Sequence, residues 1–193
     1  MNDLVSILQK GGIVLFPTDT IYGLGVDATN EEAVQRVRDL KGREEGKPIS
    51  IMVSDMGMAE SYAVVTPLAK RLADKFLPGK LTIVLEVKNT LPNELTVGTG
   101  SVGIRIPNHP LALQMVREFG KPITATSANV SDMPTFSSVP EILKQFGEKS
   151  TLINESIDAG PLPPSEPSTV VDARGEAPIV LREGAIRTED FGN

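Results

Sequence analysis

The stretch Lys41-Gly42-Arg43-Glu44-Glu45-Gly46-Lys47-Pro48 is a basic, glycine-punctuated loop in a chain that is acidic overall. It follows a predicted helix and precedes the apolar run Ile49-Ser50-Ile51-Met52-Val53, which is typical of a buried strand. The loop therefore places cations and flexible glycines where the chain enters a sheet. Because cationic side chains and exposed backbone amides both attract phosphate oxygens, we expect this loop to bind a polyphosphate.

The composition is that of an ordinary globular protein, with 193 residues of which 40% are hydrophobic and 23% charged. No apolar run approaches the roughly 18 residues of a membrane helix, and the N-terminus lacks the features of a signal peptide. We therefore expect a cytoplasmic protein with no membrane association. The absence of cysteine excludes disulfides, thiolate metal sites and cysteine nucleophiles. A net charge of −6 argues against an overall basic surface for nucleic acid.

Strand and helix patterns alternate along the whole chain. Short apolar or β-branched runs predict strands at 13–16, 49–53, 81–87, 102–107, 122–125, 152–153, 168–172 and 179–182. Helical spacing and capping residues predict helices at 3–10, 29–40, 55–62, 67–77, 110–119 and 138–146. The stretch 88–100 is predicted to be a connection, and the proline-rich stretch 158–167 a mobile loop. We expect one α/β domain over residues 1–193, with a twisted, mixed, open sheet flanked by helices and a central cleft.

Polar and cationic residues recur where the predicted strands begin or end. In open α/β sheets such ends converge on a cleft that binds ligands. The phosphate-loop and dinucleotide fingerprints, the serine elbow and the metal-binding histidine pair are all absent. The sequence therefore predicts a ligand cleft without a common nucleotide motif, formed by Thr18, Thr20, Lys41, Arg43, Lys47, Arg105, Ser127, Asn129, Ser168 and Arg182.

The same residues also fit simpler roles, which the sequence leaves open. A basic loop is most often a solvated turn, and an arginine in a strand, such as Arg105 or Arg182, is often at the surface or paired with a carboxylate. Short polar runs form turns closed by their own side chains, an alternative that applies to Thr18, Asp19, Thr20, Ser127 and Asn129.

Two further polar residues have open assignments. His109 is the single histidine, which excludes mechanisms built on several histidines, and we expect it to be a loop residue that caps the next helix. Asp172 ends a predicted strand and is equally suited to bind the turn at 173–175 or a metal ion.

Seven motifs, taken in order, resemble those of the YrdC/TsaC-like family and together cover nearly the whole chain. They are Pro17-Thr18-Asp19-Thr20-Ile21-Tyr22-Gly23-Leu24, Lys41-Gly42-Arg43 with Lys47-Pro48, Pro78-Gly79 with Thr82, Arg105-Ile106-Pro107, Ser127-Ala128-Asn129, Ser168-Thr169-Val170-Val171-Asp172 and Leu181-Arg182-Glu183-Gly184. The resemblance is to the short members, which have a single YrdC-like domain and no C-terminal extension domain. It implies an L-threonylcarbamoyladenylate synthase, a nucleotidyltransferase that uses L-threonine, bicarbonate or CO2, and ATP, and releases diphosphate. The product serves N6-threonylcarbamoyladenosine modification at position 37 of tRNA.

The resemblance also implies roles for individual residues. Lys41 and Arg43 are expected to be the catalytic phosphate clamp, and Mg2+ is expected to enter with ATP, its protein ligands unassigned. Met52 stands where some longer members place a threonine-binding histidine. The threonine pocket is expected to comprise Thr20, Arg105, Ala125 and Ser168. The ATP site is expected to comprise Lys41, Arg43, Lys47, Thr82, Ser127, Asn129, Thr135 and Arg182.

The chemistry fits this composition, because a carbamate that attacks the α-phosphorus of ATP needs positioning and positive charge and no protein nucleophile. The resemblance further implies that transferase proteins of the tRNA pathway accept the product. Two alternatives stay open. The same basic cleft could hold double-stranded RNA, although the few aromatic residues and the acidic total weigh against this. The chain could also be a paralogue with the same fold and another activity.

Overall fold

A computed structural model describes residues 2–191, and in that range ten strands join one mixed sheet. The strands are β1 Ile13–Phe16, β2 Gly23–Gly25, β3 Ser50–Met52, β4 Ala63–Val64, β5 Leu81–Val87, β6 Ser101–Arg105, β7 Ile123–Ser127, β8 Ile153–Ser156, β9 Thr169–Asp172 and β10 Ile179–Arg182. The helices are α1 Asn2–Gln9, α2 Glu31–Lys41, α3 Met56–Tyr62, α4 Pro67–Phe76, α5 Asn93–Thr96, α6 Pro110–Phe119 and α7 Val139–Phe146, with 3-10 turns at Gly147–Leu152 and Thr188–Phe191.

The strand order along the sheet is β10-β9-β5-β6-β3-β7-β2-β1-β8, and β4 pairs with β5 beside this path. The pairs β1–β8, β3–β6 and β5–β9 are parallel, whereas the remaining pairs are antiparallel. The sheet is thus open and mixed, which confirms the predicted α/β class. Among the described residues, no helix has the length and apolar character needed to cross a membrane.

Every predicted helix and strand is present, with ends shifted by a few residues. The sequence pattern missed β2, whose Gly-Leu-Gly sequence has no alternation, and the short elements β4 and α5. The prediction of a plain connection over 88–100 was therefore wrong at α5. The stretch 158–167 forms neither helix nor strand, as expected from its prolines.

The two faces of the sheet are packed differently. In β1, Ile13 and Leu15 belong to a large core that α2, α4 and α7 cover, whereas Val14 and Phe16 belong to a smaller core with α1 and α6. The described sheet residues of the smaller core come from β1, β3 and β7, with none from β5, β6 or β9. Helices therefore cover the second face only in part. The rest of that face is the floor of the predicted central cleft.

Candidate functional site

A cavity of about 500 Å³ lies on the partly covered face of the sheet. Among the lining residues are nine of the twelve residues predicted for the threonine and ATP sites: Thr20, Arg43, Thr82, Arg105, Ala125, Ser127, Thr135, Ser168 and Arg182. The other three, Lys41, Lys47 and Asn129, do not line it. The structure thus brings together polar residues that lie up to 162 positions apart in the chain.

The cavity floor follows from strand alternation, because every second residue of neighbouring strands points to the same side of a sheet. Thr82 of β5, Gly103 and Arg105 of β6 and Ser50 of β3 all line the cavity. The packing of this floor is tight. A Cβ atom at Gly103 would lie 2.4 Å from Ser50 Oγ and 2.9 Å from Thr82 Cγ2, so any larger residue there would force these side chains to move.

Arg105 is a buried cation in the cavity wall, only 8% exposed. Its Nη2 donates hydrogen bonds to Asp19 Oδ1 at 2.8 Å and to Thr20 Oγ1 at 2.9 Å. Burial lowers the pKa of Arg105, and the neighbouring Asp19 carboxylate partly opposes that shift. Arg105 is therefore paired with a carboxylate and also lines the cavity, and its contact with a ligand stays a prediction.

Thr20 is held beside Arg105 by a turn that its own sequence closes. Thr18 Oγ1 donates to Ile21 O at 2.7 Å and accepts from Thr20 N at 3.1 Å, and it lies 3.1 Å from Thr20 Oγ1. The side-chain-bonded turn left open by the sequence is thus confirmed. It serves to fix the Thr20 hydroxyl in the cavity wall.

Arg43 is the cation that the basic loop contributes to the cavity. Its Nε donates to Lys47 O at 3.1 Å and its Nη2 to Pro48 O at 2.7 Å, so the loop backbone holds the guanidinium. Lys47 lies outside the lining, where its Nζ pairs with Glu44 at 3.0 Å and Asp132 at 3.1 Å. Only one of the three predicted cations of this loop therefore faces the cavity among the described residues.

Lys41 is buried behind the lining, with 1% of its surface exposed. Its Nζ donates to Ser127 O, to Asn129 O at 2.7 Å and to Asn129 Oδ1 at 3.1 Å. Burial, and to a lesser degree the charge of Arg43, lowers the pKa of Lys41 to about 7. Lys41 thus contacts Ser127, which lines the cavity. A direct role of Lys41 in catalysis stays a prediction.

The far wall of the cavity is formed by β5, β9 and β10. Thr82 Oγ1 and Ser168 Oγ share a hydrogen bond of 2.9 Å, and Arg182 Nη2 donates to Ser168 O at 2.8 Å. Parallel pairing of β5 with β9 sets this register, with Thr82 opposite Val170. The wall thus offers two hydroxyls and one guanidinium to a ligand.

Asp172 binds its own turn, one of the two roles the sequence left open. Its carboxylate accepts from Arg174 N at 3.0 Å and from the Arg174 guanidinium, the shortest of these contacts being 2.6 Å. Within residues 2–191, no group of three or more histidine, cysteine, aspartate or glutamate side chains could hold a metal ion. The side chain of His109 makes no capping hydrogen bond, although the residue does stand at the start of α6.

Two contributions to the site escaped the sequence interpretation. Tyr22, which is 1% exposed, donates from its hydroxyl to Gly160 O at 2.8 Å and accepts from Ala159 N at 3.0 Å. It thereby fixes the start of the irregular stretch that ends at the lining residue Pro167. Asp19 is the second, because the sequence indicated only a place in a turn and not its ion pair with Arg105. No periodicity in the sequence indicates either partnership, because each joins residues more than 80 positions apart.

Comparison of the chain with known proteins identifies its family. The family model Sua5_yciO_yrdC, described as telomere recombination, matches residues 6–184. The chain belongs to the Sua5/YciO/YrdC family. This confirms the resemblance that the seven motifs indicated.

Individual relatives within the Sua5/YciO/YrdC family agree with the match. A protein of Methanocaldococcus jannaschii is 42% identical over 180 residues, which cover 93% of this chain and 83% of that protein. The threonylcarbamoyl-AMP synthase of Bacillus subtilis is 36% identical over 188 residues, which cover 96% of this chain and 54% of that protein. The crystal structure of Pyrococcus abyssi Sua5 complexed with L-threonine superposes with a TM-score of 0.89 at 35% identity, covering 96% of this chain and 54% of that one. This chain thus spans about half the length of the two longer relatives.

Proposed function

We propose that this chain is a threonylcarbamoyl-AMP synthase, which forms L-threonylcarbamoyl-AMP from L-threonine, bicarbonate or CO2, and ATP and releases diphosphate. The observation that carries the proposal is one cavity lined by three arginines, of which Arg43 and Arg105 have their charges balanced differently. The guanidinium of Arg43 is bonded to backbone carbonyls, whereas that of Arg105 is paired with Asp19. The name of the Bacillus subtilis relative and the threonine bound to Pyrococcus abyssi Sua5 support the same reaction.

The ATP phosphates are assigned to the Arg43 side of the cavity. Carbonyl contacts orient this guanidinium without neutralising its charge, so that it can bind phosphate oxygens with two parallel N–H groups. Thr82, Ser127, Thr135 and Arg182 line the same cavity and are the further ATP contacts of the proposal. Lys47 and Asn129, which were predicted to contact ATP, do not line it.

L-Threonine is assigned to the Arg105 side. A free amino acid is a zwitterion, so a wall whose cation is already paired with a carboxylate matches its zero net charge. Arg105 suits the threonine carboxylate because its guanidinium offers several N–H donors in one plane. Thr20, Ala125 and Ser168 line the cavity with it.

The reaction then joins the two substrates across the cavity. The ammonium of the bound threonine first loses a proton to solvent. The resulting amine forms an N–C bond with CO2 as one C–O π bond opens, and it loses a second proton to solvent, which gives a carbamate. A carbamate oxygen forms a bond to the α-phosphorus of ATP as the bond between that phosphorus and the diphosphate oxygen breaks. The protein contributes alignment of the two substrates and positive charge where the departing diphosphate concentrates negative charge.

Mg2+ is proposed to accompany ATP as part of the substrate. The described lining residues include no aspartate or glutamate, so this cavity lacks the carboxylates by which proteins usually hold Mg2+. The phosphate oxygens of ATP would be its main ligands, and the ion would neutralise part of their charge. The adenylate product is then proposed to pass to transferase proteins that modify tRNA.

The test is to incubate the purified protein with MgATP, labelled bicarbonate and one amino acid at a time, measuring diphosphate and the mass of the nucleotide product. We expect diphosphate release only with both threonine and bicarbonate, and labelled carbon in a threonylcarbamoyl-AMP product. Valine, which has the shape of threonine without its hydroxyl, serves as the matched control. Diphosphate release without threonine would contradict the proposal. Salt-sensitive binding of double-stranded RNA with no turnover would instead support the RNA-binding alternative.

A further inference from the structure

The cluster formed by Lys41, Ser127 and Asn129 connects the end of α2 to the end of β7, directly behind the cavity. We propose that Lys41 and Asn129 are positioning residues that fix the Ser127 hydroxyl as a hydrogen-bond acceptor, so that it receives a donor group of the nucleoside and does not bind a phosphate oxygen. The inference rests on the proposed function, because it takes ATP as the ligand of the cavity. It assigns Lys41 a role different from that of a phosphate clamp.

The ammonium group of Lys41 has no hydrogen left for a substrate. An ammonium carries three N–H donors, and three acceptors inside the protein surround this one: Ser127 O, Asn129 O and Asn129 Oδ1. Its 1% exposure leaves no surface for a phosphate to approach. Lys41 therefore acts through the residues that it holds.

The side chain of Asn129 is equally engaged. Its Oδ1 accepts from Lys41 Nζ and from Ser127 Oγ, the latter at 2.5 Å. Its Nδ2 donates to Val130 O at 2.9 Å and to Met133 O at 2.6 Å. Two acceptor and two donor positions are the whole capacity of an amide, so Asn129 also has none to offer to a ligand.

In its charged form, which predominates below pH 7, Lys41 determines the direction of these hydrogen bonds. An ammonium only donates, so the oxygen of the Asn129 amide must face it, with the NH2 group turned to the carbonyls of Val130 and Met133. The Ser127 hydroxyl next to that oxygen must in turn donate its one hydrogen to it. Ser127 Oγ then presents only lone pairs to the cavity that Ser127 lines.

This direction selects the part of ATP that Ser127 contacts. The phosphate oxygens of ATP are ionised near neutral pH and can only accept hydrogen bonds, as Ser127 Oγ can here. A ribose hydroxyl or the amino group of adenine can donate. Ser127 is therefore assigned to the nucleoside, and Arg43 to the phosphates.

The test measures, by calorimetry and without threonine, the dissociation constants of ATP and of inorganic triphosphate. We expect Ser127→Ala to weaken ATP about tenfold, the value of one hydrogen bond, and to leave triphosphate within twofold. We expect Arg43→Ala to weaken both ligands. Equal losses of ATP and triphosphate in Ser127→Ala, or no loss of ATP, would overturn the proposal. These binding measurements remain informative if the protein proves to catalyse another reaction of ATP.

A double-mutant cycle tests whether Lys41 positions the Ser127 hydroxyl. In a Lys41→Met background, Ser127→Ala should weaken ATP less than twofold, because the hydroxyl direction is already lost. Thr82→Ala, on the opposite wall, is the matched control and should have the same effect in both backgrounds. An unchanged tenfold effect of Ser127→Ala would show independent contacts and refute the role of Lys41. If Lys41→Met does not fold, Asn129→Ala replaces it in the same cycle and carries the same two outcomes.

Discussion

Two of the three arginines that line the cavity, Arg43 and Arg105, differ in what balances their charge. Arg43 is half-buried and is held by the backbone carbonyls of its own loop. Arg105 is buried, and it forms an ion pair with Asp19, whose side chain is 9% exposed. The Arg43 wall therefore holds a cation with no carboxylate in contact, whereas the cation Arg105 is paired with Asp19.

This difference teaches how one cavity can distinguish two substrates of unlike charge. A polyphosphate gains most from a cation that no carboxylate neutralises, whereas a zwitterion gains from a cation and an anion held side by side. Lys47 shows the contrast within the basic loop itself. It belongs to the same motif as Arg43, but Glu44 and Asp132 neutralise it away from the cavity.

Removing the charge of the positive wall should have the largest effect. We expect Arg43→Ala to lower kcat/KM for ATP by about 100-fold to 1,000-fold, the usual loss when a group that stabilises developing negative charge is removed. Its hydrogen bonds are local to the loop, so the thermal unfolding temperature should stay unchanged. Arg43→Lys is the matched control and should recover only part of the activity, because it keeps the charge and loses the paired N–H donors. Unchanged kinetics in Arg43→Ala would refute this assignment.

Removing the charge that balances the second wall should act on the other substrate. Asp19→Asn keeps the size of the side chain but leaves the buried Arg105 without a counter-charge. We expect the KM for threonine to rise about tenfold, the KM for ATP to stay within twofold, and the free energy of unfolding to fall by up to about 3 kcal/mol. Steady-state kinetics and urea unfolding measure these quantities. A larger change in the KM for ATP than for threonine would reverse the assignment of the walls.

The low pKa of Lys41 adds a pH dependence to the positive wall. Since this pKa is lowered to about 7 in the free protein, Lys41 is half deprotonated near pH 7 and almost fully deprotonated by pH 9. A bound polyanion favours the charged form, so ATP binding should take up a proton and weaken several-fold over that range. ATP itself is fully ionised above about pH 7.5 and does not add to the change. Calorimetry should find the same trend absent in Lys41→Met, and a pH-independent affinity in the unmodified protein would contradict this expectation.

The smallest effect is expected at the neutralised cation of the loop. Lys47→Ala removes an exposed side chain that is paired with Glu44 and Asp132 and does not line the cavity. We expect the KM for ATP to rise less than threefold. If the loss instead approached that of Arg43→Ala, Lys47 would have to leave its carboxylate partners to bind ATP.

The order of elements could be predicted from the sequence because its signals are local, whereas the residues of the two substrate sites, nine of which line the cavity, were indicated mainly by the family motifs. The strand predicted at 102–107 forms as β6, in which Val102 and Ile104 belong to the large core and Arg105 points to the other side. The predicted helices 29–40 and 67–77 are capped by Asn30 and Thr66, whose side chains each accept a backbone hydrogen bond from the first turn. The strand β2 could not be predicted, because its three residues form a strand only through their pairing with β1 and β7.

The partners of the charged residues could not be predicted, because no local pattern encodes them. Lys41, Arg43 and Lys47 are equivalent by sequence, yet one is buried, one lines the cavity and one is paired at the surface. Their distant partners make the difference, since Ser127 and Asn129 hold Lys41 in the interior and Asp132 holds Lys47 at the surface. The same holds for Asp19, whose partner lies 86 positions away in β6.

Calorimetric titration of ATP and of L-threonine into the unmodified protein, Arg43→Ala and Arg105→Ala tests the difference between the two walls most directly. The account predicts that Arg43→Ala loses ATP binding and keeps its affinity for threonine. Arg105→Ala should lose threonine binding and keep its affinity for ATP. Loss of the same ligand in both variants, or equal loss of both ligands in each, would contradict it.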